Sequence, residues 1–198
     1  RRQRQMCIRD SYTRWIQFGA FNPLSRIHHE GDNPVEPWLF GPEAEKNAKA
    51  AIELKYRLLP YIYTYAREAY DTGLPIMRPL FLEYPMDMET FSTDAQFMFG
   101  RELLVAPVVK KGARTKNVYL PEGTWIDYNN KKTVYTGEQW TTVDAPLSSV
   151  PMFVKQGSII PTMPVMNYTY EKPVYPLTFE VFPAQEGAQA IFTLYEDE

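Results

Sequence analysis

The segment FNPLSRIHH, residues 21–29, gathers the side chains of this chain best suited to chemistry. It holds both histidines of the sequence, His28 and His29, and a nearby cation, Arg26. An imidazole donates and accepts hydrogen bonds near neutral pH, which suits hydroxyl-bearing ligands. A guanidinium beside it can pair with a carboxylate and shape the loop. Trp38 follows in EPWLFGPE, residues 36–43. A stretch this rich in proline, imidazole and cation is costly to order, and loops are where scaffolds carry function. We expect it to form one wall of a sugar-binding pocket, in a chain that is part of an enzyme.

Two helices must position that loop. The first is expected over 10–20, where Tyr12, Trp15, Ile16 and Phe18 recur at helical spacing and Gly19 and Pro23 end the run. The second is expected from Pro42 to Gly73, with Glu43 and Glu45 at its positive end. Ala48, Ala51, Ile52, Leu54, Leu58, Leu59, Ile62 and Tyr65 give it a wide apolar face. Pro60 falls inside this run and predicts a kink. A bent helix of that length can wrap a curved body such as a barrel.

Residues 75–81 read as a short strand bounded by prolines, followed by an acidic turn. From Gln96 onward the pattern is strands separated by Pro-Glu-Gly, Asn-Asn and Thr-Gly turns, as in an antiparallel sandwich. LTFEVFPAQEGAQAIFTLYEDE reads as strand, turn through Gly187, and strand. The expected fold class is therefore α/β then all-β. Residues 1–102 would be the C-terminal end of a (β/α)8 TIM barrel, since a whole barrel takes about 250 residues. Residues 103–175 would be an antiparallel β-sandwich, and 176–198 the start of a second β module.

Composition narrows the function classes. Aromatic residues reach 15%, with 14 Tyr, 11 Phe and 4 Trp, a balance that fits stacking on sugar rings and equally a plain aromatic core. A net charge of −3 without charge blocks argues against nucleic acid and anionic membrane as partners. The RRQRQ start is expected to be solvated. Cys7, the single cysteine, excludes an internal disulfide and a cysteine-based zinc site. Asn167-Tyr168-Thr169 is a glycosylation sequon, a triplet that also arises by chance. No apolar run approaches the roughly 18 residues of a membrane span. With no initiator Met, no signal peptide and a final strand without a closing turn, both ends read as cut.

Collinear motifs carry a resemblance. RWIQFGAFNPLSRIHH, EPWLF, YRLLPYIYTYA, GLPIMRPLFLEYP, QFMFGRELLVAPVV, GTWIDY, VKQGSIIP and FTLYEDE stand in one order across nearly the whole chain. The chain thereby resembles glycoside hydrolase family 31, the α-glucosidase and α-xylosidase family. The resemblance implies a retaining α-glycosidase with an Asp nucleophile and an Asp general acid/base, and no metal or organic cofactor. Retaining enzymes hold the two carboxyl groups roughly 5–5.5 Å apart. In the family both lie upstream of the Arg-x-His loop, and no acidic residue here matches either motif. No catalytic residue is therefore expected in this chain. Asp10 reads as a helix-capping charge and Asp32 as a turn former.

The resemblance makes His28 a hydrogen-bonding partner of the sugar in subsite −1 and Arg26 its supporting neighbour in the same Arg-x-His motif. His29 departs from the family's usual small or amide residue, and no contact is expected of it. Trp38 is read as a packed anchor of the loop in preference to a platform that stacks on sugar, Arg78 as a structural ion-pair residue, and Met77 and Phe81 as core. The implied partners are an oligosaccharide or α-glycoside substrate and the remainder of the barrel, in the same or a separate chain. The competing reading is a non-catalytic β-sandwich module for carbohydrate binding or domain packing, which residues 103–198 alone would fit. The barrel-like first hundred residues argue against it. Trp125, Tyr128 and Trp140 alternate with polar residues, so at least some are expected to face inward. The family's habit and the aromatic-rich sandwich favour secreted, periplasmic or luminal settings and leave the compartment open.

Overall fold

The computed structural model describes residues 2–28 and 35–197, with side chains from residue 9 onward. His29 and Asp32 lie outside the described residues. Helix α1 spans Arg2–Gly19, so it starts eight residues before the expected Asp10. Arg and Gln are good helix formers and carry the helix through the basic start. Asp10 is accordingly no cap. It sits inside α1, accepts from the Gly112 amide at 3.0 Å and pairs with Arg114 at 2.8 Å.

The single kinked helix expected over 42–72 is two helices, α2 at Pro42–Arg57 and α3 at Leu59–Thr72. Pro60 lacks an N–H and fits the first turn of a new helix better than the interior of an old one. Leu58, at φ −83° and ψ 4°, makes the break. It donates to the Leu54 carbonyl at 3.0 Å and accepts from the Ile62 amide at 2.8 Å, which keeps the two helices joined. Gly73 closes α3 in the left-handed region at φ 78°.

The strand expected over 75–81 shrinks to β1 at Met77–Arg78. Pro79, at φ −59°, then starts the helical turn α4 at Leu80–Glu83. The remaining strands are β2 Phe97–Phe99, β3 Leu103–Val105, β4 Thr115–Leu120, β5 Thr124–Asp127, β6 Val134–Thr136, β7 Gln139–Asp144, β8 Met152–Lys155, β9 Ser158–Thr162 and β10 Thr178–Phe182. Six of them form an antiparallel sheet in the order β1-β2-β3-β8-β5-β6. β4 and β7 make a separate ribbon, and β9 pairs with β10. Pairing runs across residue 103 through the β2–β3 hairpin, and across residue 175 through β9 and β10. The strand expected in FTLYEDE does not form over its described residues 192–197. That segment crosses α3 instead, with Phe192 against Tyr61 and Tyr195 against Tyr63.

Period-two alternation explains the near-continuous apolar runs FMF and LLV. Phe97, Phe99, Leu103, Val105 and Val154 face the helices and share a core with Phe21, Leu58 and Tyr61. Met98, Leu104, Trp125 and Phe153 face the β4–β7 ribbon and pack on Val118 and Leu120. A sheet covered on both faces needs no polar side chain on either. Trp125 and Tyr128 are buried, whereas Trp140 is partly exposed and donates to Glu89 at 3.0 Å.

Polar contacts lock the helices to the sheet. Arg78 is fully buried, as its structural reading requires. Its guanidinium pairs with Glu68 of α3 at 2.9 Å, pairs with Glu83 of α4 and donates to the Pro75 carbonyl at 2.6 Å. Met77 packs on the core only partly buried, and Phe81 is half-buried against Phe91. Tyr61 and Tyr65 reach the Glu102 carboxylate at 2.8 and 2.5 Å. Burial, reinforced by that carboxylate, pushes both phenols well above their ordinary pKa. Gly100 makes this approach possible, because a Cβ there would stand 2.1 Å from Tyr61 Oη and its φ is 67°. Gly100→Ala is therefore expected to destabilise by more than about 1 kcal/mol. Thermal unfolding reads this, and an unchanged Tm would contradict the close approach.

Candidate functional site

The loop after α1 borders an open cleft of about 1710 Å³. Tyr12, Trp15 and Ile16 of α1 form one side and Ile52, Lys55 and Tyr56 of α2 another. Residues 24–28 supply the third wall, so Arg26 and His28 line the same cleft. Both are exposed, and among the described residues neither forms a hydrogen bond or ion pair. An exposed imidazole and guanidinium on a concave wall leave their hydrogen-bonding groups available to a ligand.

The ends of the loop are held from both helices. Lys55 donates to the Asn22 carbonyl, just after α1. Tyr12 donates to the Val35 carbonyl at 2.9 Å, where the chain is next described. The Tyr12 ring stacks on Phe40 with centroids 3.9 Å apart. Burial lowers the Lys55 pKa from its ordinary value. Burial, and then the charge of Glu36, raises that of Tyr12. The packed anchor expected of Trp38 is thus supplied by Phe40. Trp38 is 62% exposed, because the 3₁₀ turn Pro37–Phe40 directs Phe40 rather than Trp38 onto α1.

Sequence reasoning missed Tyr12, Lys55 and Arg14. Arg14 seats α1 by donating to the carbonyls of Ala145 at 2.6 Å, Ser149 at 2.9 Å and Pro146 at 3.1 Å. Gln17 adds a bond to the Leu147 carbonyl at 2.8 Å. The available signal was a polar line at helical spacing, Asp10, Arg14 and Gln17, on a helix that must bury most of its circumference.

Among the described residues no Asp or Glu lines the cleft, so the described walls carry hydrogen-bonding and cationic groups but no acid/base pair. Among the described residues no cluster of His, Cys, Asp and Glu could hold a metal ion. No described helix is long and apolar enough to cross a membrane. Trp15 and Leu24 border the cleft while 68% and 88% exposed, so the cleft has apolar as well as polar wall.

Comparison with known proteins gives this geometry a family. Residues 5–65 match the glycosyl hydrolases family 31 TIM-barrel domain, and residues 73–160 match the glycosyl hydrolase family 31 C-terminal domain. A 1,6-alpha-glucosyltransferase of Sporosarcina globispora is 40% identical over 96% of this chain and 15% of its own length. Alpha-glucosidase 2 of Bacillus thermoamyloliquefaciens is 40% identical over 94% of this chain and 23% of its own. Among solved structures, the Flavobacterium johnsoniae GH31 dextranase complexed with glucose superposes with a TM-score of 0.88. It is 67% identical over 89% of this chain and 22% of that one. The GH31 alpha-xylosidase of Xanthomonas citri superposes with a TM-score of 0.81 at 38% identity, over 87% of this chain and 19% of that one. The chain spans less than a quarter of the length of these relatives. Over that span the two domain matches follow one another in chain order, with all the described lining of the cleft except Lys111 in the first, and the chain belongs to glycoside hydrolase family 31.

Proposed function

We propose that this chain is a segment of a retaining α-glycosidase that hydrolyses α-linked glucosides or xylosides. In this reading Arg26 and His28 supply part of subsite −1, and the catalytic Asp pair lies upstream. The observation that carries it is the placement of both Arg-x-His side chains, exposed, on one cleft that has no carboxylate among its described lining residues. The sugar would sit against His28, whose imidazole exchanges hydrogen bonds with a hydroxyl. Arg26 would shape the wall and steady the upstream carboxylates. One carboxyl protonates the leaving oxygen and the other attacks the anomeric carbon, and water then releases the sugar with retained configuration.

The remainder of the barrel would cover the exposed apolar wall around Trp15, Leu24 and Ile52. We divide the chain into a barrel segment at 1–102, a proximal sandwich at 103–175 and the start of a distal module at 176–198. The sheet-and-ribbon layering supports a sandwich, while the β1–β2–β3 pairing ties its first strands to the barrel segment. Among substrates, the 67% identity to a dextranase favours α-linked glucan.

The test is an assay of the full-length protein on p-nitrophenyl α-glucoside, p-nitrophenyl α-xyloside and dextran, with the first-formed anomer followed by NMR. Hydrolysis of at least one, with the α-anomer appearing first, is expected. Sugar binding without hydrolysis of any would overturn the enzyme reading in favour of a binding module.

A further inference from the structure

We propose that Lys55 and Tyr12 are positioning residues that set the place of His28 in the cleft. The inference rests on the functional reading above. The loop carrying Arg26 and His28 runs exposed from residue 23 to 28, with no hydrogen bond of its own side chains to the described residues. Among the described residues, the side-chain bonds at its flanks come from outside it. Lys55 holds the carbonyl of Asn22, six residues before His28, and Tyr12 holds the carbonyl of Val35, seven residues after it. The two donors come from different helices, so the loop registers the gap between α1 and α2.

Lys55 is a costly choice for a plain structural tie. It is half-buried and its pKa is lowered by burial alone. Among the described residues no carboxylate pairs with it. Desolvating a cation without a counter-ion opposes folding. Asn22 and the cleft lie on the same side of α2 as this ammonium, which has three N–H donors and is seen to use one. Tyr12 divides its work in two, the ring stacking on Phe40 and the hydroxyl gripping the loop. Removing the hydroxyl alone separates the grip from the packing.

Displacing a substrate-positioning group by about 1 Å can cost on the order of a hundredfold in rate. We therefore expect Lys55→Met in the full-length protein to lower kcat/KM on its preferred glycoside about tenfold or more, mostly through kcat. Lys55→Arg should recover most of the loss, and Tyr12→Phe should reproduce part of it. The deciding measurement is a double-mutant cycle with His28→Ala. If Lys55 acts through His28, Lys55→Met costs little more in the His28→Ala background. Additive losses, or a Lys55→Met enzyme with full kcat/KM, would overturn the positioning role. An unaffected His28→Ala enzyme would instead overturn the functional reading on which it rests. Circular dichroism and Tm of each variant separate loss of fold from loss of position, and the milder Tyr12→Phe keeps the test open if Lys55→Met does not fold.

Discussion

Replacing His28 by alanine in the full-length protein is expected to lower kcat/KM about a hundredfold while leaving Tm nearly unchanged. Hydrogen bonds to sugar hydroxyls that strengthen toward the oxocarbenium-like transition state supply several kcal/mol, and a hundredfold corresponds to about 2.7 kcal/mol. The loss should fall more on kcat than on KM, because the bond matters most at the transition state. The fold should tolerate the change. His28 is exposed and has no partner among the described residues, so truncation leaves no buried group unsatisfied. Surface substitutions of that kind lie within about 0.5 kcal/mol. Steady-state kinetics beside a melting curve check both halves. A His28→Ala enzyme with intact kcat/KM would remove the imidazole from the site.

The largest stability effect is expected at Arg78. Its guanidinium has no solvent exposure and joins α3, α4 and the turn before β1 through Glu68, Glu83 and the Pro75 carbonyl. Its ring neighbour is Tyr65, 5.2 Å below the guanidinium. Arg78→Met keeps the apolar stem and removes the charge. Glu68 would retain Arg101 at 2.8 Å, but Glu83 would lose the only ion pair it shows among the described residues. Breaking a buried pair by removing one partner costs about 3–5 kcal/mol. Whole domains have only about 5–15 kcal/mol to lose. A marked fall in Tm is expected, and a double change with Glu83→Gln should recover part of it. A Tm within a degree or so of the parent would show that the buried pair is energetically silent.

Elements with strong periodicity or a fixed turn chemistry were legible in the sequence. The α2–α3 face, the Gly73 stop and the strands from Phe97 to Lys155 follow from apolar spacing and turn residues. The structural ion-pair role of Arg78 was legible too, since a cation between a strand and Pro79 has few other uses. Three features were not. The first eight residues of α1 carry no cap signal, and their helix rests on propensity. Pro60 divides its helix rather than bending it, because a missing N–H fits a helix start as well as a kink. FTLYEDE alternates like a strand, yet its Phe and Tyr found aromatic partners on α3 rather than a neighbouring strand. At the cleft, Arg26 and His28 stood out as residue types in a motif. Tyr12, Phe40 and Lys55 did not, because their contribution lies in long-range contacts with Val35, Asn22 and each other.

The most direct test of the account is a crystal structure of the full-length protein with glucose or xylose bound. The account predicts a sugar seated against the 24–28 wall, with a His28 ring nitrogen about 3 Å from a hydroxyl oxygen. It also predicts the two catalytic carboxylates flanking the anomeric carbon from positions upstream of this segment. A sugar bound elsewhere, with His28 turned to solvent, would contradict it.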